Sequence, residues 1–494
     1  MAEPVAPDLS DRPIPWEAFD RLRRDNLARW PTGAAVDLDE AVAFHQSLPD
    51  RKRLSPVLRA AAAEGRCLTQ PRGGFGTFEM QLDLLRTLEE DGLADVLPTS
   101  TDSYTRNERF EQAAAGSEES RQSGRSMLNG FPIVSLGLAP CRRLIQAVDR
   151  PVIVLSGTAL PRLTAEIALA AGYTGFLGSG IAYTTSYTKT LPIEDGIRNY
   201  QYLDRLVALY GERGVRLHRR QPGFLTGTTV PPSLAIAIAA LDALLAAHQG
   251  VKEYAIELGQ VLHLVQDAAA LAVAPEVCQH YLCRAGLTDV FTPAISLHWM
   301  GAWPADEAAA ASMLALGGFT AAVGGAVSVT TKSTHEAAGI PTAAANAAGL
   351  RTTRMGIHLA RGVRLDGLPA FEQEKDLIRR EARAIVDTVL EMGDGDAAVG
   401  TVRAFQSGVL DVPWSPNRHV KSRIIPARDG EGCLRILDPG HVPYPRDTLE
   451  FSRERLRKTA EHRGVPFGID LGIASVYEMS EPLAKLQPPF ALKI

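Results

Sequence analysis

Arg72 in Pro71-Arg72-Gly73-Gly74 and Arg106 in Asp102-Ser103-Tyr104-Thr105-Arg106 each follow a short apolar run that ends in a polar turn. A guanidinium presents a planar fork of donors that grips a carboxylate or phosphate at two points. Where strands alternate with helices, charged side chains set just after the strands collect at one rim, so the two arginines predict an anion site there. Each also has a plainer reading as a surface or interdomain ion pair.

Further rim candidates follow other apolar runs: Asn129, Tyr183 and Tyr187, Gln266 and Asp267, His298 with Met300, and Lys332 with Glu336. All are expected to converge on one mouth. The tyrosines are open to simple rim packing, and a Lys–Glu spacing of four at a helix start is a common surface pair. Gly73-Gly74-Phe75-Gly76 and Gly178-Ser179-Gly180 give neither GxGxxG nor a Walker lysine, so they support at most a close backbone approach to a ligand.

The elements that must position these groups are eight short apolar or β-branched segments, each followed by a helical pattern: 66–70, 95–99, 131–136, 152–155, 174–177, 253–258, 290–296 and 326–330. Helices are expected at 78–90, 141–148, 159–171, 195–210, 231–248, 260–272, 306–317 and 335–348. The alternation predicts an α/β fold, a (β/α)8 TIM barrel over 64–363, with a doubly wound open sheet as the competitor. An N-terminal helical extension over 1–63 precedes it. A charged helix at 371–391 leads into a small C-terminal α+β lobe within 364–494.

The 494 residues are 45% apolar and 22% charged, which suits a chain with a sizeable core. A net charge of −5 carries no polyanion signature, so nucleic acid is not an expected partner. Residues 1–33 lack the apolar stretch of a signal peptide, and the longer apolar runs are interrupted by Gly, Ser, Thr and Asp; a cytoplasmic chain without membrane attachment is expected. Five cysteines, an odd number widely spread, read as reduced thiols, and Cys278 with Cys283 as core rather than a zinc site. No DxHxxG segment of the kind a cobalamin-binding domain needs is present.

Taken together, the words of the chain resemble the large (E, or epsilon) subunit of glutamate mutase, also called methylaspartate mutase. They include Arg29-Trp30-Pro31-Thr32-Gly33, Gln70-Pro71-Arg72-Gly73, Asp102-Ser103-Tyr104-Thr105-Arg106 and Gly124-Arg125-Ser126-Met127-Leu128-Asn129-Gly130-Phe131-Pro132. Leu225-Thr226-Gly227-Thr228, Trp299-Met300-Gly301, Gly339-Ile340-Pro341-Thr342 and Gly400-Thr401-Val402-Arg403-Ala404-Phe405 continue it over nearly the whole length. The resemblance implies a TIM barrel that uses adenosylcobalamin for a radical carbon-skeleton rearrangement of a small-molecule acid. It further implies a separate small cobalamin-binding subunit carrying DxHxxG, and a homodimer of barrels within a heterotetramer. By the same resemblance Arg72 and Arg106 match arginines of the substrate-carboxylate claw, and Tyr183 and Tyr187 match substrate-side tyrosines. Asn129, Lys332, Glu336 and the backbone at Gly74 match contacts to the adenosine part of the coenzyme.

Two positions depart from the family. A third claw arginine is replaced by Leu155 in Ile153-Val154-Leu155-Ser156-Gly157, and a glutamate that accepts the substrate ammonium is replaced by Leu177. Losing one partner of a buried charge pair costs about 2–5 kcal/mol, so glutamate is expected to bind poorly. The expected substrate is an acid facing Arg72 and Arg106, with an uncharged or apolar portion against Leu155 and Leu177. A catalytically inactive paralogue that binds or regulates a mutase complex, and a cofactor-free barrel lyase using Lys332, remain open at this point.

Overall fold

The structure, a computed structural model, describes residues 8–224 and 228–485. Of the motif Leu225-Thr226-Gly227-Thr228, residues 225–227 lie outside the described residues. Eight strands form one parallel sheet: β1 (Leu68–Gln70), β2 (Leu97–Ser100), β3 (Val152–Leu155), β4 (Gly175–Leu177), β5 (His218–Gln221), β6 (Tyr254–Gly259), β7 (Ala294–Leu297) and β8 (Ser328–Thr330). Their order is β1-β8-β7-β6-β5-β4-β3-β2. The remaining seam between β1 and β2 is bridged by the backbone: Asp95 N–H donates to the Thr69 carbonyl at 3.0 Å, and Ser100 N–H to that of Gly73 at 2.8 Å. The fold is a (β/α)8 barrel with helices outside, as the alternation predicts.

One of the expected strands is wrong and one was missed. Residues 131–136 are apolar, yet only Phe131 bridges to Thr101, and Ile133–Leu136 is a short helix that stops at Gly137 with φ +78°. The fifth strand is His218-Arg219-Arg220-Gln221, which no apolar pattern signals although all four residues are buried. Its charges are met from within: Arg219 pairs with Asp204 at 2.6 Å, and Arg220 with Glu257. The segments at Leu155 and Leu177 are consequently the third and fourth strands, one place earlier than the sequence count. Lys332 and Glu336 do not open an α-helix either; Glu336 begins a 3-10 turn, Glu336–Ala338, and the helix follows at Ala343–Leu359.

Outside the barrel, helices Trp16–Leu27, Leu38–Ser47 and Leu54–Ala63 precede β1. They are tied on by Arg23, which forks onto the fully buried Glu166 at 2.9 Å. Helix Pro232–His248 is apolar all round because it is covered all round, lying between β6 inside and Pro369–Met392 outside. Beyond that helix come Ala397–Ser407, an antiparallel pair β9 (Ile425–Arg428) and β10 (Leu434–Asp438), and Arg446–Arg463 packed on β10. Among the described residues no helix is long and apolar enough to cross a membrane.

Candidate functional site

All eight strands deliver residues to one cleft at their C-terminal ends. It measures about 480 Å³ including its open mouth. The residues that line it include Arg72 after β1, Ser100 and Arg106 from β2, Leu155 and Gly157 from β3, Leu177, Tyr183 and Tyr187 from β4, Gly223 after β5, Glu257 on β6, Leu297 and Met300 from β7, and Thr330 on β8. This is the end of the barrel where parallel strands leave their side chains and loops free for chemistry.

Arg106 is placed by a turn whose cap explains its sequence. Buried Asp102 accepts from Tyr104 N–H at 2.8 Å and Thr105 N–H at 3.0 Å, closing the single helical turn Ser103–Arg106. The side chain then crosses Gly157. A Cβ at that glycine would lie 2.9 Å from Arg106 Nε, and its φ of +59° is the left-handed region that favours glycine. Arg106 Nε is buried without a hydrogen-bond partner among the described residues.

Among the described residues Arg72 donates only to the Met300 sulfur, at 3.3 Å. Neither arginine has a carboxylate partner among the described residues. Burial pulls the Arg106 pKa down, Tyr187 and Tyr183 oppose this, and the charge of Arg72 adds to the lowering. Two neighbouring uncompensated cations in a part-buried cleft are an unmet demand for an anion.

The tyrosines stand on helix Ala182–Tyr187 with ring centroids 5.0 Å apart; Tyr183 is buried and Tyr187 is 45% exposed at the lip. Burial holds the Tyr183 phenol well above its usual pKa, so it is a neutral donor. Both ends of this helix are pinned. Ser179 Oγ accepts from Ile181 and Ala182 N–H at 3.1 and 2.8 Å and donates to Asp242. On the outer side Asn417 Nδ2 reaches Thr184 O at 3.1 Å, Thr188 Oγ1 at 2.9 Å and Leu191 O at 2.9 Å. Ser415 Oγ adds a bond to Thr185 O at 2.6 Å.

Of the residues matched to the adenosine contacts, Lys332 and Glu336 follow β8 closely, and they do not line the cleft itself. Lys332 Nζ and Glu336 Oε2 are 2.7 Å apart, with side chains 9% and 17% exposed. Glu336 Oε1 also accepts from Ser333 N–H at 3.0 Å, so the carboxylate ties the turn together. Burial lowers the Lys332 pKa, Glu336 opposes it, and the charge of Arg72 lowers it further, so Arg72 and Lys332 lie within electrostatic reach of one another. Exposed Asn129 accepts from Ser103 N–H at 2.9 Å, leaving its amide nitrogen without a partner among the described residues. An ammonium and a free amide that donate, with a carboxylate that accepts, are a set of partners that fits a ribose diol and a purine. Gly74 is explained by the chain itself, since a Cβ there would lie 2.4 Å from Ser100 O and 3.0 Å from Gly130 Cα.

Three rim candidates from the sequence lie elsewhere. Gln266 faces the C-terminal lobe, donating to Glu374 at 2.9 Å and Leu434 O at 3.1 Å. Asp267 lines a neighbouring cleft that shares only Met300 with the first, and there accepts from Val261 N–H at 2.8 Å. His298 turns outward against Gly317 of the next helix, where burial lowers its pKa to about 3. Sequence reasoning in turn missed Gly157, Arg220, Glu257 and Asn417. Only Gly157, within a quoted motif, left any signal; Arg220 was hidden in the unrecognised strand, and Asn417 lies in a loop about 230 residues from its partners.

The model of the methylaspartate mutase E chain family matches residues 48–483. A glutamate mutase epsilon subunit from Desulfitobacterium hafniense is 44% identical over 481 residues, covering 97% of this chain and 99% of the relative. One from Haloarcula marismortui is 44% identical over 455 residues, 92% of each chain. One from Escherichia coli O157:H7 is 40% identical over 458 residues, 92% of this chain and 95% of the relative.

Proposed function

The chain belongs to the methylaspartate mutase E chain family, and from that premise we propose that it is the large subunit of an adenosylcobalamin-dependent carbon-skeleton mutase acting on an acid other than glutamate. A separate small subunit with a DxHxxG motif would carry the corrin, and two barrels with two small subunits would make the working assembly. Residues 64–363 are the unit assigned to both binding surfaces.

The observation that carries this reading is the pair of uncompensated cations in the cleft, Arg72 and Arg106, with the Lys332–Glu336 ion pair close enough for the charge of Arg72 to act on Lys332. When bound, the coenzyme supplies an organic radical that abstracts and returns a hydrogen atom. The chain's own residues do the rest. Arg72 and Arg106 grip the carboxylate, Tyr183 and Tyr187 wall and orient it, and Lys332, Glu336 and Asn129 hold the adenosine. Leu155, Leu177 and Leu297 keep water from the reacting carbon. The two leucines stand where the family resemblance places a cation and an anion, which is why glutamate is not the proposed substrate.

Co-expression with a small DxHxxG protein, followed by EPR across a panel of carboxylic and amino acids, tests this. The expected signal is Co(II) coupled to an organic radical with at least one acid; silence across the panel defeats the proposal. Lys332 as a Schiff-base nucleophile is disfavoured by its ion pair with Glu336, and borohydride should trap no substrate on it.

A further inference from the structure

Among the described residues that line the cleft, Glu257 is the sole carboxylate. It is not available to a ligand. Its Oε2 accepts from Arg220 Nη2 and from Thr330 Oγ1, the latter at 2.7 Å, while Oε1 accepts from Gly223 N–H at 3.3 Å. Arg220 is fastened from its other side, where Nη1 donates to Gln70 Oε1 at 2.7 Å, and Nη2 also donates to Thr330 Oγ1. Both charged side chains are 3% exposed. The pair thus forms a closed floor of four residues from β1, β5, β6 and β8 beneath the mouth.

We propose that Arg220 is a specificity-determining positioning residue: by locking Glu257 into this floor it denies the cleft any carboxylate for an ammonium group, so the site takes carboxylic acids that carry no amino group. The inference rests on the reading of the cleft as an acid site and names the class of acid. Its physics is a charge inventory. The lining offers two cations in want of an anion, one carboxylate already neutralised, and hydrocarbon from Leu155, Leu177, Leu297 and Pro222. An ammonium brought in beside Arg72 and Arg106 meets repulsion and finds no acceptor of opposite charge. Drawing Glu257 toward it would strip a buried guanidinium of its partner, an arrangement that is strongly unfavourable. A ligand whose only charges are carboxylates meets neither penalty.

Glutarate and L-glutamate share one carbon skeleton and differ by the amine. Calorimetric titration of the full chain with each is expected to give at least tenfold tighter binding of glutarate. Equal affinities, tighter glutamate, or no binding of either overturns the proposal. Arg220→Gln, which frees Glu257, should narrow the ratio by raising glutamate affinity, and a ratio that stays fixed overturns the role of Arg220. Should that variant fail to fold, Arg220→Lys keeps the internal charge but loses the two-pronged grip, and the same narrowing is expected. Neither titration needs cobalamin or a small subunit, so a silent EPR panel would defeat the mutase reading without touching this result.

Discussion

Leu155 and Leu177 sit opposite one another, in register on the neighbouring parallel strands β3 and β4, and both line the cleft that holds Arg72 and Arg106. In-register residues of a parallel pair point to the same face. A cation and an anion at these two places would therefore neutralise each other, and losing one alone would leave a buried charge unpaired. Losing both leaves a quiet apolar wall. Leu155→Arg alone, a third cation in the cleft of Arg72 and Arg106, should destabilise the chain by about 3–5 kcal/mol, and adding Leu177→Glu should recover part of that loss, as read by urea denaturation. With a small subunit and adenosylcobalamin, the double variant should turn over glutamate at least tenfold faster than the unaltered protein. Unchanged turnover would show that charge at these two positions does not set the choice of acid.

Gly157→Ala tests the seat of Arg106. The added Cβ would meet Arg106 Nε at 2.9 Å on a backbone with φ +59°. A stability loss of about 1–2 kcal/mol from the backbone is expected. Acid affinity should fall at least tenfold because the guanidinium is pushed off its line. Retained affinity would mean that Arg106 does not hold the ligand.

Asn417→Ala removes the amide that gathers Thr184 O, Thr188 Oγ1 and Leu191 O around the tyrosine helix. Thr184 O keeps its bond from Thr188 Oγ1, but leaving Leu191 O without this donor should cost about 1–3 kcal/mol. Hydrogen exchange within Ala182–Tyr187 is expected to quicken, and acid binding to weaken. No change in exchange there would remove Asn417 from the site.

Asp242 supplies a pH dependence with a definite sign. Burial raises its pKa from 3.8 to about 7. The folded chain therefore keeps a proton that the unfolded chain has released between those values. This contribution to stability is complete below about 3.8 and is lost as the pH rises through about 7. Asp242→Asn, neutral at every pH, should flatten the decline measured between about pH 4 and 7 by on the order of 1 kcal/mol per pH unit. An identical slope in the variant would place the titration elsewhere, Asp267 and Glu381 being raised in the same direction.

Much of the barrel was legible because most of its strands are apolar runs flanked by amphipathic helices; the helix over 78–90 is found as Phe78–Glu90. The misreading at 131–136 and the oversight at His218–Gln221 have one cause. An apolar pattern reports contact with hydrocarbon, whereas this barrel is partly filled with paired ions, so its fifth strand looks like surface. Gathering of Arg72, Arg106, Tyr183 and Tyr187 could be anticipated from their places after strands. Asn417 and the Arg220–Glu257 floor could not, because each depends on partners far away in sequence.

The bonds from Asn417 and Ser415 to the tyrosine helix also set an order of events in time. A ribosome releases the strands, both arginines and both phenols long before it reaches residue 417. Until that later stretch emerges and folds back, the nascent barrel has its cations in hand but an unsteadied aromatic wall, so the proposed grip on an acid would be complete only once residues 415 and 417 are in place.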